Sequence, residues 1–168
     1  MITYNNSVLK VGSSWLNYEP PTPPVYSYEL FIDVNTSPLI KTNIAICSLK
    51  IDGQSATTSE MTQAGSRESS ATPYLYNILT NAEKNQILST STYLYKESYG
   101  LWIHFAYNLL DFSTISFKTT PSTASVTNVE LVASLYKAVK GGPARGTLID
   151  QYVYTQRGNT TITLNRLA

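Results

Sequence analysis

Residues 101–107 read Leu101-Trp102-Ile103-His104-Phe105-Ala106-Tyr107, and their alternation decides the fold class. Leu101, Ile103 and Phe105 fall on one face, and Trp102, His104 and Ala106 on the other. That is the period of two of a half-buried β-strand. Outward from this run, β-prone segments recur at Tyr26–Val34, Ser91–Lys96, Ile115–Thr119, Val126–Tyr136, Leu148–Thr155 and Thr160–Leu164. A longer one, Thr42–Ile51, stops at the turn dipeptide Asp52-Gly53. Asn35-Thr36-Ser37-Pro38 closes the first of them, and Lys140–Gly146 forms a flexible tip between two others.

Residues 54–73 are poor in large apolar groups and rich in Ser, Thr and Ala, which predicts a long exposed loop. Pro73 opens the one convincing helical stretch, Tyr74-Leu75-Tyr76-Asn77-Ile78-Leu79, in which Leu75, Ile78 and Leu79 share a face. An Asn- and Ser-rich connection follows. Roughly eight or nine strands and one short helix predict an all-β chain, an antiparallel β-sandwich of the jelly-roll kind. The pattern excludes a helical bundle, and no repeat of solenoid period is present.

The first residues, MITYNNSVLKVGSSWLNYEPPTPP, are organised differently. Ile2, Tyr4, Val8, Leu9 and Val11 precede Gly12-Ser13-Ser14, and Trp15, Leu16 and Tyr18 follow it, so two short runs flank a tight reversal. A lone hairpin is marginal in water. Trp15 and Leu16 therefore need a neighbour: the chain's own main domain, a sister copy or a larger assembly. Pro20, Pro21, Pro23 and Pro24 favour an extended polyproline arm. The chain divides into an attachment hairpin with its spacer, residues 1–24, and a β-sandwich domain, residues 25–168. The competing arrangement makes the hairpin an edge of that sandwich.

At 168 residues the chain can bury a core that needs no staples. Charged residues are 14% of it and the net charge is +1, which gives no basic footprint for nucleic acid. Polarity comes instead from Ser, Thr, Asn and thirteen tyrosines, a surface of neutral hydroxyls, amides and rings. Cys47 is the only cysteine and sits in the apolar run Ile44-Ala45-Ile46-Cys47, as a small buried hydrophobe without an intrachain disulfide. Unpaired cysteine in a chain of this size favours a reducing compartment. The start carries no signal-peptide pattern, and no run has the length of a membrane span.

No catalytic set assembles from the sequence, so an enzyme is not expected. His104 is the one histidine, which rules out multi-histidine metal clusters. It lies mid-strand between aromatics, as a structural or interface residue, and general-base work would need an orienting carboxylate and a nucleophile. A Cys47–His104 dyad has no local signature. The carboxylates are scattered, and Asp33, Asp52, Asp111 and Asp150 near strand ends suit turns. The Lys140–Gly146 tip lacks the order of a phosphate-binding loop and leads into no helix. Neither metal nor cofactor is expected. Tyr74, Tyr76, Tyr93, Tyr95 and Tyr99 cluster around the expected helix and the loop after it. Their rings suit a sugar face, a protein interface or core packing.

Two resemblances sharpen this. Ser69–Asn81, then Gly100-Leu101-Trp102-Ile103-His104-Phe105, then Phe112-Ser113-Thr114-Ile115-Ser116-Phe117 resemble the discoidin or galactose-binding-like family, over roughly residues 44 to 136. There a loop and a short helical turn precede a "W-I-x-h-D-L" strand. The likeness implies a galactose-binding-like jelly roll with a glycan as ligand. Asn81-Ala82-Glu83-Lys84-Asn85 stands where that family carries an acidic calcium corner, and no Asp follows His104.

The second concerns Met1, Ile2, Tyr4, Asn5, Val8, Trp15, Leu16 and Tyr18 with the Pro-rich spacer. They resemble the N-termini of virion fibre and appendage proteins of tailed phages of gut bacteria, including the crAss-like group. This implies a structural virion protein of a bacteriophage: a head-fibre, decoration or tail-appendage subunit. Ile2, Tyr4, Val8, Trp15, Leu16 and Tyr18 would anchor it to capsid or tail proteins. The resemblance further implies a homo-oligomer, dimer or trimer, assembled in the host cytoplasm and resident in the virion, with no nucleic-acid or membrane contact. The alternative is a carbohydrate-binding module or lectin-like surface domain.

Overall fold

A computed structural model describes residues 26–106, 112–120, 129–139, 145–156 and 160–167. The hairpin and spacer expected over residues 1–24, with Ile2, Tyr4, Val8, Trp15, Leu16 and Tyr18, lie outside the described residues, as do Asp111 and residues 140–144 of the tip. The strands are β1 (Tyr26–Val34), β2 (Thr42–Ile51), β3 (Gln54–Ser55), β4 (Met61–Arg67), β5 (Tyr76–Ile78), β6 (Leu94–Ser98), β7 (Gly100–Phe105), β8 (Thr114–Thr119), β9 (Glu130–Val139), β10 (Thr147–Thr155) and β11 (Thr160–Asn165). Among the described residues one helix, α1 (Asn81–Leu88), joins β5 to β6.

These strands form two antiparallel sheets. One has six strands in the order β10-β9-β1-β7-β4-β5; the other has five, with β11-β8-β2-β3 in sequence and β6 paired to β2. The expected all-β antiparallel sandwich with one short helix is therefore the observed architecture. Alternation explains how it closes. Leu30, Ile32 and Val34 of β1, Leu101, Ile103 and Phe105 of β7, and Leu131, Ala133 and Leu135 of β9 face inward from the first sheet. Ile44, Ile46 and Leu49 of β2, Ile115 and Phe117 of β8, and Ile162 and Leu164 of β11 meet them from the second. Burying each large side chain contributes roughly 1.5–3 kcal/mol.

Asp52 and Gly53 make the hairpin from β2 to β3, with φ of 51° and 77°, the two left-handed residues a tight reversal needs. Asp52 also accepts the backbone N–H groups of Ser113 at 2.7 Å and Thr114 at 2.9 Å. Its role is the turn that the sequence predicts.

Two expectations are corrected. Residues 54–73 are not one exposed loop, because Met61–Arg67 forms β4 inside the six-stranded sheet, with Met61 and Ala64 in the core. Small residues here serve close packing: a Cβ on Gly65 would lie 3.2 Å from the Asn77 carbonyl oxygen and 3.4 Å from the Trp102 ring. The helix is also displaced. Tyr76–Ile78 pairs with Gly65–Arg67 as β5, and the helix occupies the segment read as a connection. Thr80 and Glu83 start it with a reciprocal capping box: Glu83 N–H donates to Thr80 Oγ1 at 3.1 Å, and Thr80 N–H to Glu83 Oε1 at 2.9 Å. Ile87 is its buried anchor.

Candidate functional site

On β1 the even-numbered residues face the core, which leaves Glu29, Phe31 and Asp33 on the outer face of the six-stranded sheet. Outer-face residues ordinarily meet water, yet Glu29 and Phe31 are only 4% and 3% exposed. Arg145, which enters β10, covers them. Its guanidinium carbon lies 3.8 Å from the Phe31 ring centroid, and its Nη2 pairs with Asp33 Oδ2 at 3.1 Å. Its backbone N–H donates to Glu29 Oε1 at 3.2 Å. Arg145 has φ of 54°, which turns its amide and its side chain onto this one patch.

Register supplies the opposite wall. Phe31 pairs with Trp102 of β7, and Trp102 with Gly65 of β4. The missing side chain of Gly65 leaves room for the indole, whose Nε1–H donates to Glu29 Oε2 at 2.7 Å. One strand-row along, Asp33 pairs with Gly100. A Cβ on Gly100 would lie 2.7 Å from Asp33 Oδ1, so this glycine gives the carboxylate its place. Tyr76 tilts against Trp102 with ring centroids 5.8 Å apart.

Glu29, Phe31, Tyr74, Tyr76, Trp102 and Arg145 together line a pocket of about 420 Å³. Burial pushes the Asp33 carboxyl above its ordinary value, outweighing the attraction of Arg145. Burial likewise raises the Tyr76 hydroxyl, against the pull of Arg145. Both Glu29 oxygens accept hydrogen bonds, and Arg145 is paired, so the charges are engaged within the protein. The pocket offers a ligand ring faces, with polar groups already fixed in direction.

The five predicted tyrosines do not form one site. Tyr74 and Tyr76 line the pocket. Tyr74 stacks on Arg67, whose guanidinium carbon is 3.6 Å from its ring, and Tyr99 lies 6.0 Å from the same group. Tyr93 and Tyr95 pair with each other, centroids 6.1 Å apart, at β6 of the other sheet. Glu29, Phe31 and Arg145 are site residues that the sequence pattern does not single out, and Trp102 stands there only as a strand residue. A carboxylate and a phenyl ring on the outward positions of β1 were the available signal.

The remaining candidates are placed individually. Cys47 is buried in β2, whereas His104 is on the outer face of β7, so no dyad forms. Thr62 Oγ1 donates to the His104 carbonyl and lies 2.9 Å from His104 Nδ1, which fixes the ring to β4. Asp150 accepts the N–H groups of Gln151 and Asn165. Among the described residues, no group of three or more His, Cys, Asp or Glu is placed to hold a metal, and no helix is long and apolar enough to cross a membrane. No family model matches the chain, and no curated protein or solved structure was found to match it.

Proposed function

We propose that this chain is a structural virion protein of a bacteriophage, a head-fibre, decoration or tail-appendage subunit whose sandwich is displayed behind residues 1–24. The attachment half of this reading rests on the sequence of the first 18 residues and the proline spacer. The recognition half rests on one observation: the pocket of Trp102, Tyr76 and Tyr74, built on a sheet over the covered Phe31 and braced by Glu29 and Arg145. Rigid aromatic faces with oriented polar groups suit the ring of an uncharged sugar. Display in many copies would let weak contacts add by avidity.

Oligomerisation through the sheet edges fits the apolar groups found there. Leu75 beside β5 and Ile78 within it are 65% and 56% exposed, and Tyr152 and Val153 of β10 are each 49% exposed. Such edges are templates for pairing between copies. Light scattering of the purified chain would return a dimer or trimer mass under this reading.

The same pocket favours a second reading, a free-standing carbohydrate-binding module. Deletion of residues 1–19 separates the two. On the virion reading the truncated chain stays folded, keeps its glycan binding and loses incorporation into particles. A truncated chain that unfolds would make the hairpin part of the sandwich and remove the attachment role.

A further inference from the structure

A second pocket, of about 300 Å³, lies where one end of β1, β9 and β10 meets the end of β11, lined in part by Tyr28, Lys137, Thr147, Ile149, Arg166 and Leu167. Register explains its charge. Lys137 of β9 pairs with Tyr28 of β1 on one side and with Thr147 of β10 on the other. Tyr28 belongs to the core, and directly paired residues share a face. Lys137 is therefore an inward-facing lysine at the mouth of the sandwich.

The contacts that Lys137 and Arg166 make are with neutral groups. Lys137 Nζ lies 4.6 Å from the Tyr26 ring centroid. Arg166 Nε donates to the Phe112 carbonyl, and its guanidinium carbon is 5.5 Å from the Phe112 ring. None of the described carboxylates on the surrounding strands forms an ion pair with Lys137 or Arg166. Asp150 accepts the Gln151 and Asn165 amides, and Glu130 accepts from Asn35. Glu29 and Asp33 hold Trp102 and Arg145 on the other face of the sheet. β11 contains no acidic residue. Among the described residues, two cations thus line one pocket with no carboxylate in an ion pair with either, Asp150 of β10 being turned to the Gln151 and Asn165 amides. Like charges that share a partly dry cleft raise its potential and favour an anion.

We propose that this pocket binds an oxyanion, a phosphate or carboxylate group, through Lys137 and Arg166, with the Thr147 hydroxyl as a neutral donor. The proposal is independent of the sheet-face pocket and its ligand.

The test is titration of the full chain with sodium phosphate exchanged against sodium chloride at constant ionic strength, followed by amide NMR. Saturable shifts are expected at Thr147, Ile149, Arg166 and Leu167. Lys137→Gln or Arg166→Gln should each weaken binding about tenfold, and Lys137→Arg should retain it, which separates lost charge from lost folding. Glycerol phosphate and glucuronate, titrated in parallel, distinguish a phosphoester from a sugar carboxylate as the source. Saturation with any of the three supports the site. Absence of saturation by about 50 mM with all three, shifts spread over every surface cation, or binding unaffected by Lys137→Gln would overturn it.

Discussion

Trp102 Nε1–H donates to Glu29 Oε2 at 2.7 Å across the β1–β7 pair, and this bond ties the aromatic wall of the sheet-face pocket to its buried carboxylate. Trp102→Phe keeps a ring and removes the donor. Leaving one buried oxygen of Glu29 short of a partner should cost about 1–3 kcal/mol. Urea denaturation measures it, and a loss below about 0.5 kcal/mol would show that Glu29 has another donor ready.

Gly100→Ala places a Cβ 2.9 Å from the Ile32 carbonyl oxygen as well as against Asp33. Backbone cannot yield as a side chain can, so the expected loss is about 1–3 kcal/mol. Gly53→Ala meets nothing within 4 Å but sits at φ of 77°, and its cost is conformational, about 1 kcal/mol. A larger loss at Gly53 than at Gly100 would contradict this assignment of causes.

Much of the sandwich was legible in the sequence because alternation reports burial on one face. Residues 101–105 and 26–34 show this, and Asp52-Gly53 shows its turn. The legibility ended where packing overrides local preference. Ala64, Gly65 and Ser66 look like loop because they are small, yet Gly65 lies beneath Trp102 while Ala64 and Ser66 pair with the core residues Ile103 and Leu101. Ile78 and Leu79 suggested a helical face, while the decisive signal, Thr80 with Glu83, lay one residue further on. The pocket was hidden for a related reason. Arg145 is far from Glu29 and Asp33 in sequence, and only the sheet order brings β10's entry over β1.

Asp33 and Glu83 should titrate in opposite directions. Asp33 is raised from its ordinary 3.8, first by burial. The folded state therefore holds its proton more tightly, and the group's contribution to stability is greatest below pH 3.8 and falls as pH rises through the folded value. Arg145→Met, which removes the opposing cation, should push the Asp33 midpoint higher. Carboxyl-carbon NMR measures both, and a midpoint below 3.8 in the wild type would refute the burial argument.

Glu83 is lowered from 4.5, first by the Thr80 backbone N–H and then by Lys96, whose Nζ is 2.9 Å away. Its contribution is present above pH 4.5 and lost as pH falls through the folded value. Thr80→Ala breaks the box and should cost about 1 kcal/mol. Faster amide exchange in the first turn of α1 would accompany it, and unchanged exchange would show that Ile87 alone holds the helix.

Tyr154 is buried with its hydroxyl unpartnered among the described residues, and burial drives its pKa well above the ordinary 10.0. Its ring packs edge-on to Phe117, centroids 6.3 Å apart. Tyr154→Phe keeps that contact and removes the unmatched oxygen, so it should stabilise the chain by about 1 kcal/mol. Thermal unfolding checks it, and destabilisation would reveal a partner for the hydroxyl.

The most direct test of the account is glycan-array binding by the full chain beside Tyr76→Ala and Trp102→Ala, with folding monitored by amide NMR. Saturable binding to an uncharged glycan, lost in both folded variants, is the predicted result. A folded wild-type chain that binds no glycan, or binding that survives both substitutions, would contradict the claim that the sheet-face pocket is the recognition site.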